Sequence, residues 1–486
     1  MRTFIFLTLL FALIFCQSSI GQKQPTLSSL EPLKGIAMQE LQAAYGKYKD
    51  IAQQIWEFSE LGYKETKSAA LLQGLLANEG FRVEAGVAGI PTAFTASFGT
   101  GSPVIAILAE YDALPGLTQE AIPEKKAAVG RQSGHGCGHH LFGTASVAAG
   151  IELKRQMEKH NWKGTIKIFG CPAEEGGSGK VYMVRDGLFD GVDIALHWHP
   201  GNENRVALDG ALANKSAKFR FYGRSAHAAS APEQGRSSLD GVEAMNLMVN
   251  MMREHVPASA RMHYVITSGG KAPNVVPDFA EVYYYVRHPD KREVENIFER
   301  VVKAAEGAAL GTGTSMKYEI IGGTHDLLIN QSLAADMHRN LMLAGGVKYS
   351  TQEISFAENI QSTLTVKGPP IRDAAEVKAL RMPDVFSPGS TDVGDVSYKV
   401  PTVGFSTATW VPGTPAHSWQ AVACGGTEIG TKGMMAAAKA LTNIGIDLFN
   451  IPSIIEKAKK EFTISLGEYQ YKALLGDRKP ALDYRD

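Results

Sequence analysis

The chain has 486 residues, and its 49 Lys+Arg against 50 Asp+Glu leave a formal net charge of -1, without the basic excess that nucleic acid or an anionic membrane surface selects. Hydrophobic residues at 44% and charged residues at 20% exclude a globally disordered chain. The length predicts two or three domains, and four cysteines are too few for a disulfide scaffold.

The first residues read as an export signal. One early charge, Arg2, precedes a nearly unbroken apolar run over 4–15, the n-region and h-region of a secretory leader. Ser19 and Gly21 place small residues before a cleavage point ahead of Gln22. Cys16 suggests a lipoprotein, but Phe15 stands where that processing wants a small residue. The run is too short for a spanning helix, which needs roughly 20 apolar residues, and no later segment is long enough. The expectation is a signal peptide at 1–21 and an exported or periplasmic mature protein. Its three remaining cysteines, Cys137, Cys171 and Cys424, leave at least one unpaired.

Helical spacing runs through 32–85, and an apolar run at 104–109 ends in Glu110, Tyr111 and Asp112. A glycine-rich turn at 134–138 leads into a helix over 141–160. Apolar runs at 165–171 and 192–199 end in Glu174/Glu175 and in His197/His199. Alternating strand, turn and helix predicts an α/β domain. Near residue 210 the texture changes to a β-α-β-β-α-β order, that of a compact antiparallel module. The α/β pattern returns after 330, with helices near 331–344 and 430–449. The expected fold is therefore α/β: a catalytic domain at 22–212 and 324–486, with a mixed sheet flanked by helices, interrupted by an α+β insert at 213–323.

In open α/β sheets, ligands bind beyond the carboxyl ends of the strands, and here those ends are unusually polar. The turn 134–140 reads Gly-His-Gly-Cys-Gly-His-His, so five of 13 histidines fall in two short windows. Cysteine, histidine and carboxylates among small glycines do not build a core; they suit a metal. The Cys137-x-His139 spacing fits an extended or looped segment in which alternate side chains share a direction, and the donors suit zinc, with manganese or cobalt as alternatives. Glu174 and Glu175 are neighbours at a strand end, so one can bind metal while the other faces a water. Nucleotide binding fits poorly, because the turn has no G-x-G-x-x-G with a following acid and no Walker lysine. No G-x-S-x-G elbow marks a serine hydrolase.

These residues carry a resemblance. The motifs at 109–115, 134–139, 172–177 and 223–228 resemble the M20 metallopeptidases, and within them the amidohydrolase branch, subfamily D. The segments at 198–200, 390–397 and 413–420 resemble its group of aminobenzoyl-glutamate hydrolase B-type subunits. The resemblance implies two divalent ions, Zn²⁺ or Mn²⁺, and an inserted lid that also forms the dimer. It implies Cys137 as the bridging ligand, with His139, Glu175, His199 and His417 completing the shell and Glu174 as general base. Asp112 matches the aspartate of the family's H-x-D motif, but Glu110 stands where many members have the histidine, which puts Asp112 behind the ligands. His140 replaces the usual Asp or Asn, and His197 competes with His199 as ligand. His227 matches a histidine that reaches the partner's site to stabilise an oxyanion, and Asn274 and Arg287 match substrate-holding residues.

The expected function is an exported, metal-dependent amidohydrolase cleaving N-acyl or aminobenzoyl amino acids through a metal-bound hydroxide. Its expected partner is a small-molecule amide, with no nucleic acid and no membrane span, in a homodimer or a heteromer with a related subunit. Two rivals stay open: a dipeptidase on the same scaffold, and a subunit with little activity alone.

Overall fold

A computed structural model describes residues 25–381 and 388–485. The expected leader, with Cys16, Ser19 and Gly21, lies outside the described residues. Among the described residues, no helix is long and apolar enough to cross a membrane.

The helical spacing after residue 25 resolves into three helices, Leu27–Ala43, Tyr45–Phe58 and Thr66–Asn78, before a strand at Arg82–Ala85. At the centre of the main sheet, Val104–Glu110 runs parallel to Gly164–Cys171 and Ile194–Gly201, which in turn is parallel to Thr402–Ala408. Phe94–Thr100 and Arg82–Ala85 extend one edge antiparallel, and Arg205–Val206 closes the other. The seven-stranded sheet is thus mixed. The parallel strands are apolar almost throughout because helices cover both faces. The helices His139–His160 and Glu428–Asn450 are buried along most of their length for the same reason.

Phe94–Thr100 carries little apolar alternation, so its sequence does not announce a strand. Its place is set by seven-residue pairing with Gly164–Cys171. The helices Thr351–Ser362 and Pro452–Leu466 were likewise not expected from the sequence.

The second sheet holds Arg261–Ser268, Phe279–His288, Ala213–Tyr222 and Ser315–Thr324 in that spatial order, all antiparallel. The helices Ser238–Met252 and Lys291–Thr312 pack on one face and share its apolar core, in which Phe219, Phe221, Val282, Tyr284 and Phe298 are buried. This module has a core separate from that of the main sheet.

All three described cysteines are free thiols. Cys171 and Cys424 are buried, and the Cys171 thiol donates to the Phe169 carbonyl.

Candidate metal centre

The parallel strands deliver their polar ends to one place. Glu110 ends its strand, and Asp112 follows two residues later. Gly138 caps the helix His139–His160 with φ +78°. Only glycine takes that position freely, and a Cβ there would also stand 2.7 Å from Pro200. The bend lets Cys137 and His139 face the strand Ile194–Gly201, where Cys137 Sγ lies 3.5 Å from His199 Nε2. His417 arrives from after the strand Thr402–Ala408, with its backbone N–H donating to Gly136 O at 2.9 Å. Its φ of +58° is a left-handed setting that costs a side chain on the order of 1–3 kcal/mol and persists where surroundings enforce it.

Three groups of donor atoms converge, each within 4.8 Å internally: Cys137, His139 and His199; Cys137, Glu175 and His417; and Glu110, His139 and Glu174. Cys137 and His139 each belong to two of them, and Cys137 links the His199 group to the Glu175–His417 group. The imidazoles are oriented for coordination. His139 Nδ1 lies 2.8 Å from Asp112 Oδ1, and His199 Nδ1 lies 2.7 Å from Pro200 O. A ring that donates from Nδ1 leaves its Nε2 lone pair free for an ion. Glu110 Oε2, His139 Nε2 and Glu175 Oε1 are buried and make ionic approaches, Glu110 to His139 and Glu175 to His417, each at 3.1 Å, but no hydrogen bond. Such orphans are expensive unless something else satisfies them. A thiolate, imidazoles and carboxylates with unspent valence fit divalent cations of the zinc or manganese type.

The electrostatics of the chain by itself say the same. Burial pushes the Cys137 thiol up, and Glu175 adds to it. Burial, then Glu110, Glu175 and Asp392, hold the Glu174 carboxyl well above the usual carboxylate range. Burial alone would lower His139, but Asp112 and Glu110 outweigh it and raise it well above the ordinary imidazole value. Burial and His139 together lower His199. Anionic groups crowded this closely keep protons in place of cations, and ions binding there would displace them.

One full cation is already built in. Lys180, fully buried, sits 2.6 Å from Glu110 Oε1 and 2.7 Å from Asp392 Oδ1, and its backbone N–H donates to Asp392 Oδ2 at 2.9 Å. Asp392 lies in the 390–397 segment that carries the resemblance, but its pairing with Lys180 is not legible in the sequence, because nothing in the spacing of a lone lysine and a distant aspartate marks a pair.

His197 lies outside all three donor groups. Its ring fills the space above Gly404, where a Cβ would stand 2.1 Å from Nε2, and burial lowers its pKa to about 3. His140 also lies outside them. Its Nε2 is 3.0 Å from Gly425 O, and its ring packs tilted at 4.8 Å against His135, which reaches Ile55 O at 3.0 Å. Both histidines of that pair are buried links between the turn and neighbouring elements.

A cavity of about 800 Å³ opens over the centre, lined by Cys137, Glu174, His199, His417, Tyr285 and Arg287 among others. Arg287 comes from the inserted module, and its Nε is buried with no hydrogen-bond partner. His227 and Asn274 do not line this cavity. They sit together on an exposed tip of the insert, where Ala228 N donates to Asn274 O at 3.0 Å.

Comparison with known proteins decides the family. The chain is 41% identical to the B-type chain of the p-aminobenzoyl-glutamate hydrolase of Escherichia coli over 446 residues, 87% of this chain and 93% of that protein. The chain belongs to the M20 peptidase family. Its residues 212–312 match the family's peptidase dimerisation domain, which identifies the insert. A mouse Xaa-Arg dipeptidase is 28% identical over 91% of this chain and 95% of its own. A Bacillus subtilis M20 peptidase described as dinuclear metal binding shares the fold at a TM-score of 0.58 and 16% identity, over 84% of this chain and 99% of its own. Like its M20 relatives, the protein is a hydrolase acting on amides.

Removing Lys180's charge should leave Glu110 and Asp392 buried and uncompensated. Lys180→Met is expected to lower unfolding free energy by about 3–5 kcal/mol, read from urea denaturation of the metal-free protein.

Proposed function

We propose that this protein is an exported, dinuclear M20 amidohydrolase that releases an amino acid from an N-acyl or aminobenzoyl amide, of the aminobenzoyl-glutamate type. The observation that carries the reading is the shared cavity. Cys137, Glu174, Glu175, His199 and His417 line the same space as Arg287, so ion ligands, a base and a carboxylate anchor face one small molecule. About 800 Å³ is within the usual range for such a ligand.

Cys137, His139 and His199 would hold one ion, and Cys137, Glu175 and His417 the other. Two bound ions supply Lewis acidity at the amide carbonyl and acidify the attacking water. Glu174 takes the water's proton as the C–O bond forms and delivers it to the amide nitrogen as the C–N bond breaks. Arg287, held over the Tyr285 ring at 5.4 Å, offers a planar fork to the carboxylate of the amino acid being released.

His227 completes the site from a second chain. The backbone N–H groups of Ala229 and Ser230 both donate to its Nδ1 at 3.2 Å. The ring proton therefore sits on Nε2, pointing away from its own loop as a hydrogen-bond donor for an oxyanion. Asn274 beside it would contact the same substrate. The partner is a second copy or a related subunit, and residues 1–21 direct this chain out of the cytoplasm.

Glu174→Gln is expected to lower kcat on aminobenzoyl-glutamate or a related acyl-amino acid by roughly 10²–10⁴-fold, with bound metal near the wild-type level. Glu175→Gln should instead lose metal, with activity partly restored by added Mn²⁺ or Zn²⁺. Full activity in metal-loaded Glu174→Gln would rule out the mechanism, and cleavage of dipeptides alone would favour a dipeptidase. Mixing His227→Ala with Glu174→Ala chains should recover part of the activity, since one hybrid site holds both native groups; hybrid dimers without recovery would place His227 outside the reaction or in its own chain's site. Intact-mass analysis of exported protein should show a chain starting at Gln22, whereas a lipid-bearing start at Cys16 would contradict the assignment.

A further inference from the structure

The loop that carries Glu174 and Glu175 is held in an unusual backbone. Ala173 and Ser178 adopt φ of +57° and +60°, and Gly176 adopts +95°. A loop with two non-glycine residues in the left-handed region relaxes unless its surroundings hold it. On the inner side, the Glu175 N–H donates to Asp112 Oδ2 at 2.9 Å, and Ala173 N donates to Glu65 Oε1 at 2.8 Å. On the outer side, the partners come from the last described residues of the chain. Arg485 Nη2 donates to the Glu175 carbonyl at 2.6 Å, and the Tyr484 hydroxyl donates to the same oxygen at 3.2 Å.

The path to that contact is anchored at every stage. After the helix Pro452–Leu466, the Tyr469 hydroxyl meets His325 Nε2 at 2.8 Å, and Tyr471 donates to Asp395 Oδ1 at 2.8 Å. Arg478 pairs with Glu319 and donates to Ile320 O at 3.0 Å, both on the insert's strand Ser315–Thr324. Arg185, on the helix Gly179–Arg185 that follows the metal loop, donates to Arg478 O at 2.7 Å. The Tyr484 ring then packs edge-on against Tyr63 at 5.5 Å, while Tyr63 donates to Gly177 O at 2.6 Å. Gly62 permits this seat, since a Cβ there would stand 2.1 Å from the Tyr484 hydroxyl.

We propose that residues 469–485 form a strap whose end, Tyr484 and Arg485, positions Glu175 for the ion it shares with Cys137 and His417. The Glu175 peptide is gripped at its N–H by Asp112 and at its carbonyl by the strap, so its side chain leaves the loop in one direction, with Oε1 3.1 Å from His417 Nε2. Tyr484 and Arg485 are positioning residues, since their contact is to the backbone of a ligand. The strap also ties the metal loop to the insert through Arg478. The inference rests on the two-ion reading above and adds what sets the geometry of one of the two sites.

Isothermal titration of the metal-free mature protein with Mn²⁺, and separately with Zn²⁺, tests it without recourse to activity. Wild type should take up two ions. Arg485→Ala should keep one site unchanged and weaken the other by roughly 10–100-fold, the usual cost of losing a group that holds a metal ligand in its orientation. Arg485→Lys should fall between, and added methylguanidinium should restore part of the loss. The unfolding midpoint of the metal-free chain should stay at the wild-type value, which separates positioning from general stability. Tyr484→Phe keeps the ring against Tyr63 and removes only the hydroxyl, so it carries the test if Arg485→Ala does not fold. Unchanged titrations in both variants would overturn the proposal, as would an equal loss at both sites with a fallen metal-free midpoint. A wild-type chain that binds no second ion would overturn the two-ion reading itself, and is distinguishable because it fails before any substitution is made.

Discussion

The catalytic domain is organised around a concentration of buried negative charge. Glu110, Asp112, Glu174, Glu175 and Asp392 converge at the carboxyl ends of the parallel strands, with Lys180 between two of them. Burial alone makes such a group of carboxylates unstable, because ionised groups out of water repel one another and lack solvation. Protons on Glu174 and His139, or divalent cations between the donors, are the two ways to relieve it. Lys180 settles part of the problem permanently, and the cavity leaves the rest to mobile charge.

That division explains why the carboxylates differ in role despite their proximity. Asp112 gives one oxygen to His139 Nδ1 and the other to the Glu175 N–H, so it orients two of the candidate ligand residues and does not line the cavity. Glu110 gives one oxygen to Lys180 and turns the other to His139 Nε2 at 3.1 Å. Burial pushes the Glu175 carboxyl up, but the His417 imidazole 3.1 Å away outweighs it and pulls the carboxyl down. Glu174 is surrounded mainly by like charges, Glu110, Glu175 and Asp392, with His139 and Lys180 opposing them. A carboxylate in that setting is readily protonated, and a nearby cation lowers its pKa toward the range a general base needs.

The two domains contribute unequally. The main sheet supplies the frame and the candidate ion ligands, while the insert supplies Arg287 to its own cavity and holds His227 and Asn274 on an exposed tip. The insert has a core of its own, and Arg478 on Glu319 joins it to the chain's last described segment.

Periodicity and motif spacing determined much of this protein. Apolar runs ending in Glu110, Glu174/Glu175 and His197/His199 marked the strands, because parallel strands buried on both faces must be apolar up to the point where they meet the site. The change of texture near residue 210 marked the insert. The sequence alone could not choose between His197 and His199, since both lie on the same face of one strand; the close backbone of Gly404 occupies the space next to one, and the Cys137 turn lies beside the other. It could not show that His140 is engaged with Gly425, or that Lys180 pairs with Asp392 across 212 residues. Nor could it show that Tyr484 and Arg485 reach back 309 and 310 residues to the Glu175 carbonyl. Local patterns record what each segment buries, because burial acts on every turn or pleat. Which distant charges and carbonyls meet is decided by the packing of whole elements, and no periodicity encodes that.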